Sequence, residues 1–229
     1  GQTILTHFGW RGNILIGRSI LVPLGVMVAY GVLGAIDDLA GLREGRNGEG
    51  LPARYKLLWQ VLLALATAVA LHYGLELRSV ALPTVAQKID IGLWYIPIVA
   101  FIIVCSSNAV NLTDGLDGLA GSIAAISFAA YGIIAYLQGQ VYLVAFCFTV
   151  VGAVAAFLWY NAYPADLFMG DVGSLSLGAT LAVVALMTGQ WLLLPIVGFV
   201  FVAETMSVIL QVAFFKLTKG RRLFKMSPL

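Results

Sequence analysis

Apolar residues fall in long blocks along the chain, and short polar intervals separate them. A transmembrane helix needs about 20 mostly apolar residues, with a range of about 17–25. Seven blocks approach that length, at roughly 19–36, 57–74, 94–111, 119–137, 140–160, 173–189 and 192–215. The pattern predicts an all-α polytopic membrane protein. No repeat of fixed period, low-complexity tract or dividing linker interrupts it, so residues 1–229 read as a single integral membrane domain. The chain begins mid-pattern, without the basic start and small-residue cleavage site of a signal peptide, which suggests a fragment.

Composition strengthens this reading. Of 229 residues 61% are hydrophobic and only 10% charged, against about 25% charged in a soluble domain. The net charge of +2, with no basic run interleaved with aromatics, leaves nucleic acid no footprint. Cys105 and Cys147 fall in or beside apolar segments and read as reduced packing residues, while His7 and His72 stand alone. Neither type supports a disulfide framework or a Cys/His metal site.

With seven crossings the loops alternate sides. One side receives 37–56, 112–118, 161–172 and 216–229, and these hold nine of the thirteen Lys and Arg. By the positive-inside rule that side is cytoplasmic. It also holds eight of the eleven carboxylates, a result independent of how the side was assigned. On the other side, Glu76–Leu93 alternates partially around Pro83, which suits a short extracytoplasmic β-hairpin.

The chemistry gathers at three acidic motifs. In residues 105–121 two carboxylates, Asp114 and Asp117, lie with Asn108, Asn111 and three hydroxyls between two apolar runs. A charge at the bilayer centre costs about 2.5–3.5 kcal/mol on insertion scales, so this stretch belongs at a membrane boundary or in a wet cavity. Gly115 and Gly118 each follow an aspartate and permit positive φ and close approach to a ligand. A polar turn between helices is the plain alternative to a binding loop. Asp37-Asp38 ends the first apolar run, either as a solvated exit pair or as ligands of a metal or phosphate-bearing substrate. In Gly170-Asp171-Val172-Gly173-Ser174, Asp171 fits an N-terminal cap, and a helix start also favours phosphate. Asp166 reads as solvated. Glu204, inside the last apolar run, is a functional candidate by location, but nearby Pro195 and Gly198 permit a helix break whose backbone groups it could satisfy. Hard oxygen donors without His or Cys suit magnesium, held by one or two carboxylates plus water and phosphates. Arg54, Lys56 and the 216–225 basic cluster offer an anion-binding half, or simply headgroup contacts. Together these features point to phosphoryl chemistry at the cytoplasmic membrane face.

The motifs resemble the phospho-N-acetylmuramoyl-pentapeptide transferase family, among the polyprenyl-phosphate N-acetylhexosamine-1-phosphate transferases. The resemblance rests on Asp37-Asp38, on Gly50-Leu-Pro-Ala-Arg54-Tyr-Lys56, and on Asn108-Ala-Val-Asn-Leu-Thr-Asp-Gly-Leu-Asp-Gly-Leu-Ala120. Phe168-Met-Gly-Asp-Val-Gly-Ser-Leu175, Glu204-Thr-Met-Ser-Val-Ile-Leu-Gln-Val212 and Arg221-Arg-Leu-Phe-Lys-Met-Ser-Pro228 complete it. It implies transfer of phospho-MurNAc-pentapeptide from its UDP carrier to undecaprenyl phosphate, giving lipid I and UMP with Mg2+, in a bacterial cytoplasmic membrane and in contact with membrane lipids. Carried over by position, Asp171 is the metal ligand, and Asp37 and Asp38 lie at the polyprenyl-phosphate and catalytic end. Asn111 and Asp114 line the nucleoside-sugar pocket, with Gly170 also in the substrate site. Leu116, Asp117, Asn161 and Phe168 surround the uracil, with Phe168 stacking on it, and Lys56 contacts phosphate. The family also implies a homodimer. It has ten membrane helices where seven are read here, and it continues into a triple-histidine motif beyond Ser227-Pro228-Leu229. Gly41 stands where many relatives carry lysine. A sister transferase using UDP-GlcNAc is the nearest alternative. A cation-coupled transporter is the distant one, and it would place its acids near the bilayer midplane, often in repeated halves.

Overall fold

The computed structural model describes residues 14–43, 50–80 and 89–224. Helix α1 spans Ile14–Arg43 and α2 spans Ala53–Val69, the latter closing in a π-turn over Ala70–Gly74. A two-stranded antiparallel hairpin follows, with β1 (Ser79–Val80) paired to β2 (Ile89–Asp90) so that Ser79 faces Asp90. Then come α3 (Tyr95–Thr113), α4 (Leu119–Leu137), α5 (Val141–Asn161) and α6 (Gly170–Met187). A four-residue helix α7 (Leu194–Val197) precedes α8 (Phe199–Leu217). Seven of the described helices are long and apolar enough to cross a membrane, and the protein is an all-α multi-pass membrane protein.

Helix α6 is the wall shared by two cores. Its Leu177, Leu181, Val184 and Ala185 pack with Phe128 and Tyr131 of α4 and Cys147 of α5. Its Leu175, Ala179, Ala182, Val183 and Leu186 pack with Tyr30 of α1, Leu71 of the π-turn and Ile103 of α3. Small residues make this possible, because lipid tails are as apolar as leucine and membrane helices associate through close packing. A Cβ on Gly178 would lie 2.5 Å from the Ser106 carbonyl oxygen, and one on Gly34 would strike the Asp171 backbone. The same approach lets the Ser106 hydroxyl donate to the Gly178 carbonyl at 2.8 Å.

Several boundaries differ from those expected. Helix α1 continues past residue 36 to Arg43, so Asp37 and Asp38 sit on a helix and not in a loop. Their carboxylates are satisfied by other elements, so the charges do not force the chain out of helical geometry. Helix α2 begins at Ala53, which brings Lys56 into its first turn, and α6 begins at Gly170. The last apolar run does break at Gly198, between α7 and α8. The hairpin expected around Pro83 is present as β1 and β2, while Pro83 itself lies outside the described residues. Glu44, Arg46, Glu49, Lys225 and Ser227-Pro228-Leu229 lie outside them as well.

Candidate functional site

The site forms where the ends of α1, α2, α3 and α6 meet on one face. Asp37 and Asp38 are adjacent on α1, about 100° apart around the helix axis at 3.6 residues per turn. Both still reach Asp171, because α6 crosses directly beside them. One oxygen from each of Asp37, Asp38 and Asp171 lies within 4.8 Å of the other two. Asp37 is buried and the other two are half-buried. This is an oxygen-only donor set.

Each carboxylate is held from outside its own helix. Asp37 accepts the Leu51 N–H at 2.9 Å and a Lys56 ammonium proton at 3.2 Å. Lys56 also pairs with the second oxygen of Asp171, so one ammonium bridges α1 and α6. The Asn111 side-chain amide donates to the first oxygen of Asp171 at 2.6 Å and to the Ser174 hydroxyl at 2.9 Å. Asp38 accepts the N–H groups of Asp171 and Val172, both at 3.3 Å. The N-terminus of α6 is therefore capped by a carboxylate from another helix. The expectation that Asp171 caps it is corrected: Asp171 lies in the first turn, and no side chain at Met169 caps the helix. Gly170, at φ +62°, lies against Asp38, and a Cβ there would meet the Asp38 carboxylate at 2.8 Å.

Asp114 closes α3 a few residues beyond Asn111. Its carboxyl is pushed up to about 6 by burial first and then by the negative charges of Asp171 and Asp38. Four carboxylates thus share the site with one ammonium among the described residues. Such an excess of negative charge fits a divalent cation. The Lys56 ammonium already bridges two of the three convergent carboxylates.

The remaining expected residues form a second cluster on the adjoining loops. Asn161, nearly fully buried, accepts the Gly118 N–H at 3.0 Å and donates to the Leu167 carbonyl at 2.7 Å. Asp117 accepts the Ala165 N–H at 3.1 Å. These bonds tie the 114–118 loop to the 162–169 loop. Leu116 and Phe168 are left open, with 52% and 76% of their surfaces exposed. Of the two Asp-Gly turns, only Gly118 takes a positive φ, at +74°. Gly115 does not, and Asp114 before it ends α3 at φ −79°, ψ 51°. Glu204 is buried on α8, a helix whose other side chains mostly face outward. Two contributors went unassigned on sequence grounds, Ser174 and Gln60. Gln60 is buried one turn from Lys56 and bonds to Asn108. A lone amide within an apolar run was the available signal.

The fold and its acidic centre define a multi-pass membrane protein with an oxygen-donor site on one face. The profile of glycosyl transferase family 4 matches residues 20–189. A phospho-N-acetylmuramoyl-pentapeptide-transferase of Chloroflexus aurantiacus is 52% identical over 95% of this chain and 62% of its own length. Proteins of the same name from Geobacillus kaustophilus (50% identical, 93% of this chain, 64% of the relative) and Thermodesulfovibrio yellowstonii (41% identical, 95% of this chain, 70% of the relative) match similarly. The chain belongs to glycosyl transferase family 4 and, within it, to the phospho-N-acetylmuramoyl-pentapeptide transferases. It spans about 62% of the length of the Chloroflexus relatives it matches.

Proposed function

We propose that this chain forms the catalytic part of an enzyme that moves phospho-MurNAc-pentapeptide from UDP to undecaprenyl phosphate. A phosphate oxygen of the lipid attacks the phosphorus that bears the sugar. The bond between the two phosphorus atoms' bridging oxygen and that phosphorus breaks, and UMP leaves with the electron pair. The product is a lipid-linked diphosphate sugar, lipid I. Any proton on the attacking lipid phosphate passes to Asp37 or Asp38, on the helix that runs down into the membrane.

One observation carries this reading: three carboxylates from two helices converge within 4.8 Å at a membrane-exit face, with Lys56 and Asn111 both holding Asp171. Asp171, Asp37 and Asp38 would hold Mg2+, which supplies charge neutralisation for the diphosphate. Positioning and neutralisation carry most of the catalysis in phosphoryl transfer. Lys56 contributes the fixed positive charge beside Asp171. The exposed Phe168 ring offers a stacking face for the uracil and the exposed Leu116 a further apolar contact, with Asp117 and Asn161 setting the loop geometry. Asn111 and Asp114 line the nucleoside-sugar pocket in this reading. By the positive-inside rule the basic loops favour the cytoplasm for this face, where the nucleotide substrate is soluble. A transporter would need its coupling acids at the midplane, whereas Asp37, Asp38, Asp114 and Asp171 gather at helix ends.

The test uses the intact protein with radiolabelled UDP-MurNAc-pentapeptide and undecaprenyl phosphate. Formation of labelled lipid I, lost in a normally inserted Asp171→Ala variant, is the expected result. Full turnover in that variant removes Asp171 from the mechanism. Equal or better use of UDP-GlcNAc reassigns the protein to the sister transferases.

A further inference from the structure

One to two helical turns from the carboxylate site lies a second tier of polar side chains. Gln60 and Asn108 exchange amide hydrogen bonds between α2 and α3. Asn108 Nδ2 donates to Gln60 Oε1 at 2.7 Å, and Gln60 Nε2 donates back to Asn108 Oδ1 at 3.4 Å. Gln60 is only 1% exposed. Asn108 also donates to the Val104 carbonyl at 2.8 Å, and the buried Tyr30 hydroxyl of α1 donates to the Gln60 carbonyl at 2.9 Å.

The placement of these residues is informative. Gln60 is four residues after Lys56, Asn108 three before Asn111, and Tyr30 seven before Asp37. On a helix these spacings put each pair on one face. Every member of the second tier therefore shares a helix face with one member of the site, on α2, α3 and α1 in turn. Lys56 and Asn111 are the two side chains that grip opposite oxygens of Asp171. Fixing α2 against α3 at Gln60–Asn108 fixes the separation of those two grips. Helix packing alone would not set it so closely, because the surrounding contacts are apolar and non-directional.

We propose that Gln60 and Asn108 form a positioning clamp that sets the Lys56–Asp171–Asn111 geometry and so the cation-binding arrangement of the carboxylates. The proposal rests on the reading of Asp37, Asp38 and Asp171 as the catalytic centre. Gln60 touches neither substrate nor metal in this scheme and acts only through Lys56 and Asn108.

The test takes the intact protein in lipid nanodiscs, with Mn2+ as the probe and its binding followed by electron paramagnetic resonance. Four forms are compared: Gln60→Met, Asn108→Leu, the pair of both, and the exchanged pair Gln60→Asn with Asn108→Gln. Gln60→Met is expected to weaken Mn2+ binding about tenfold or more, as changes behind metal ligands do. It should lower kcat comparably while KM for the nucleotide-sugar moves by less than about twofold. The double substitution should be no worse than the more severe single one, because both break the same contact, and the exchanged pair should recover most of the affinity. A residue that merely stabilised the fold would lower the melting temperature and leave Mn2+ affinity untouched below it. Unchanged or tighter Mn2+ binding in Gln60→Met, or losses that multiply in the double variant, overturns the clamp. If Gln60→Met does not insert as a monodisperse protein, the exchanged pair decides: retained affinity supports the clamp and a loss of about tenfold overturns it. Wild-type protein that binds Mn2+ but makes no lipid-linked product sinks the transferase reading, and the Mn2+ ratios still judge the clamp.

Discussion

Helices α6 and α8 are nearly indistinguishable by hydropathy, yet 72% of the first is buried among the described residues and 11% of the second. Both can cross a membrane. Among the described residues the difference goes with side-chain size. Helix α6 carries Gly173, Ser174, Ser176, Gly178, Ala179, Thr180 and Ala182, which let α1 and α3 approach its backbone, whereas α8 consists mostly of Phe, Val, Ile and Leu. In a bilayer, bulk apolarity commits a helix to the membrane and small residues decide which helix becomes the centre. The chemistry follows from this, because the first turn of the central helix is where neighbouring helix ends must converge.

The sharpest way to break the contrast is at that first turn. Asp171→Asn should cut lipid I formation by about 10²–10³-fold or more, the scale of losing one preorganised electrostatic group, in protein that still inserts and elutes normally. An effect below tenfold would separate the centre of packing from the centre of chemistry.

Next in size is the ammonium that ties α6 to α1 and α2. Lys56→Met leaves Asp37 and Asp171 without their shared cation. Removing one partner of a fully buried pair costs about 3–5 kcal/mol; for this partly solvated pair the loss should fall below that range, read as a fall in melting temperature. Added Mg2+ should recover more of that fall than it adds to wild type. Lys216→Met, at the exposed end of α8, should change stability by no more than about 0.5 kcal/mol. Similar losses for both lysines would erase the distinction between the helices.

The packing itself is tested by adding one methyl group. Gly178→Ala puts a Cβ into the Ser106–Ser107 backbone, and overpacking of this kind costs about 1–3 kcal/mol. Val212→Ala, on the 47%-exposed outer side of α8, should stay within about 0.5 kcal/mol. Thermal unfolding in matched detergent compares the two.

How much of this was legible in the chain depends on the kind of signal. Spans were legible because burial in lipid and burial in protein select the same apolar residues, and for that reason the sequence pattern could not rank α6 above α8. Asp37-Asp38, Asp171 and the Asn111–Asp117 motif stood out because charge within apolar sequence is costly unless it is used. Their partnership was not legible. That Asp38 caps α6 from another helix, and that Lys56 reaches two carboxylates at once, depends on crossing geometry that Gly34 and Gly178 set by close backbone approach. Gln60 is silent in the sequence because a single amide among apolar neighbours carries no motif, and its importance lies in a partner 48 residues away.

The smallest expected effect probes how far the field of the α6 first turn extends. Asp114 lies beyond the end of α3, and its carboxyl is raised to about 6 by burial and by the charges of Asp171 and Asp38. In the unfolded chain it ionises near its ordinary value of about 3.9. Between those two values the folded protein holds a proton that the unfolded chain has lost, so this group makes stability fall as pH rises from about 4 to about 6. Above that window the slope from this group vanishes. Asp114→Asn removes the slope, so the difference in melting temperature between variant and wild type should grow across the window and level off above it. Asp171→Asn should shrink the same difference without abolishing it, because burial is the larger cause and the Asp38 charge remains. A difference curve that is flat from pH 4 to 7, or one unaltered by Asp171→Asn, would confine the influence of the central helix to the residues it touches.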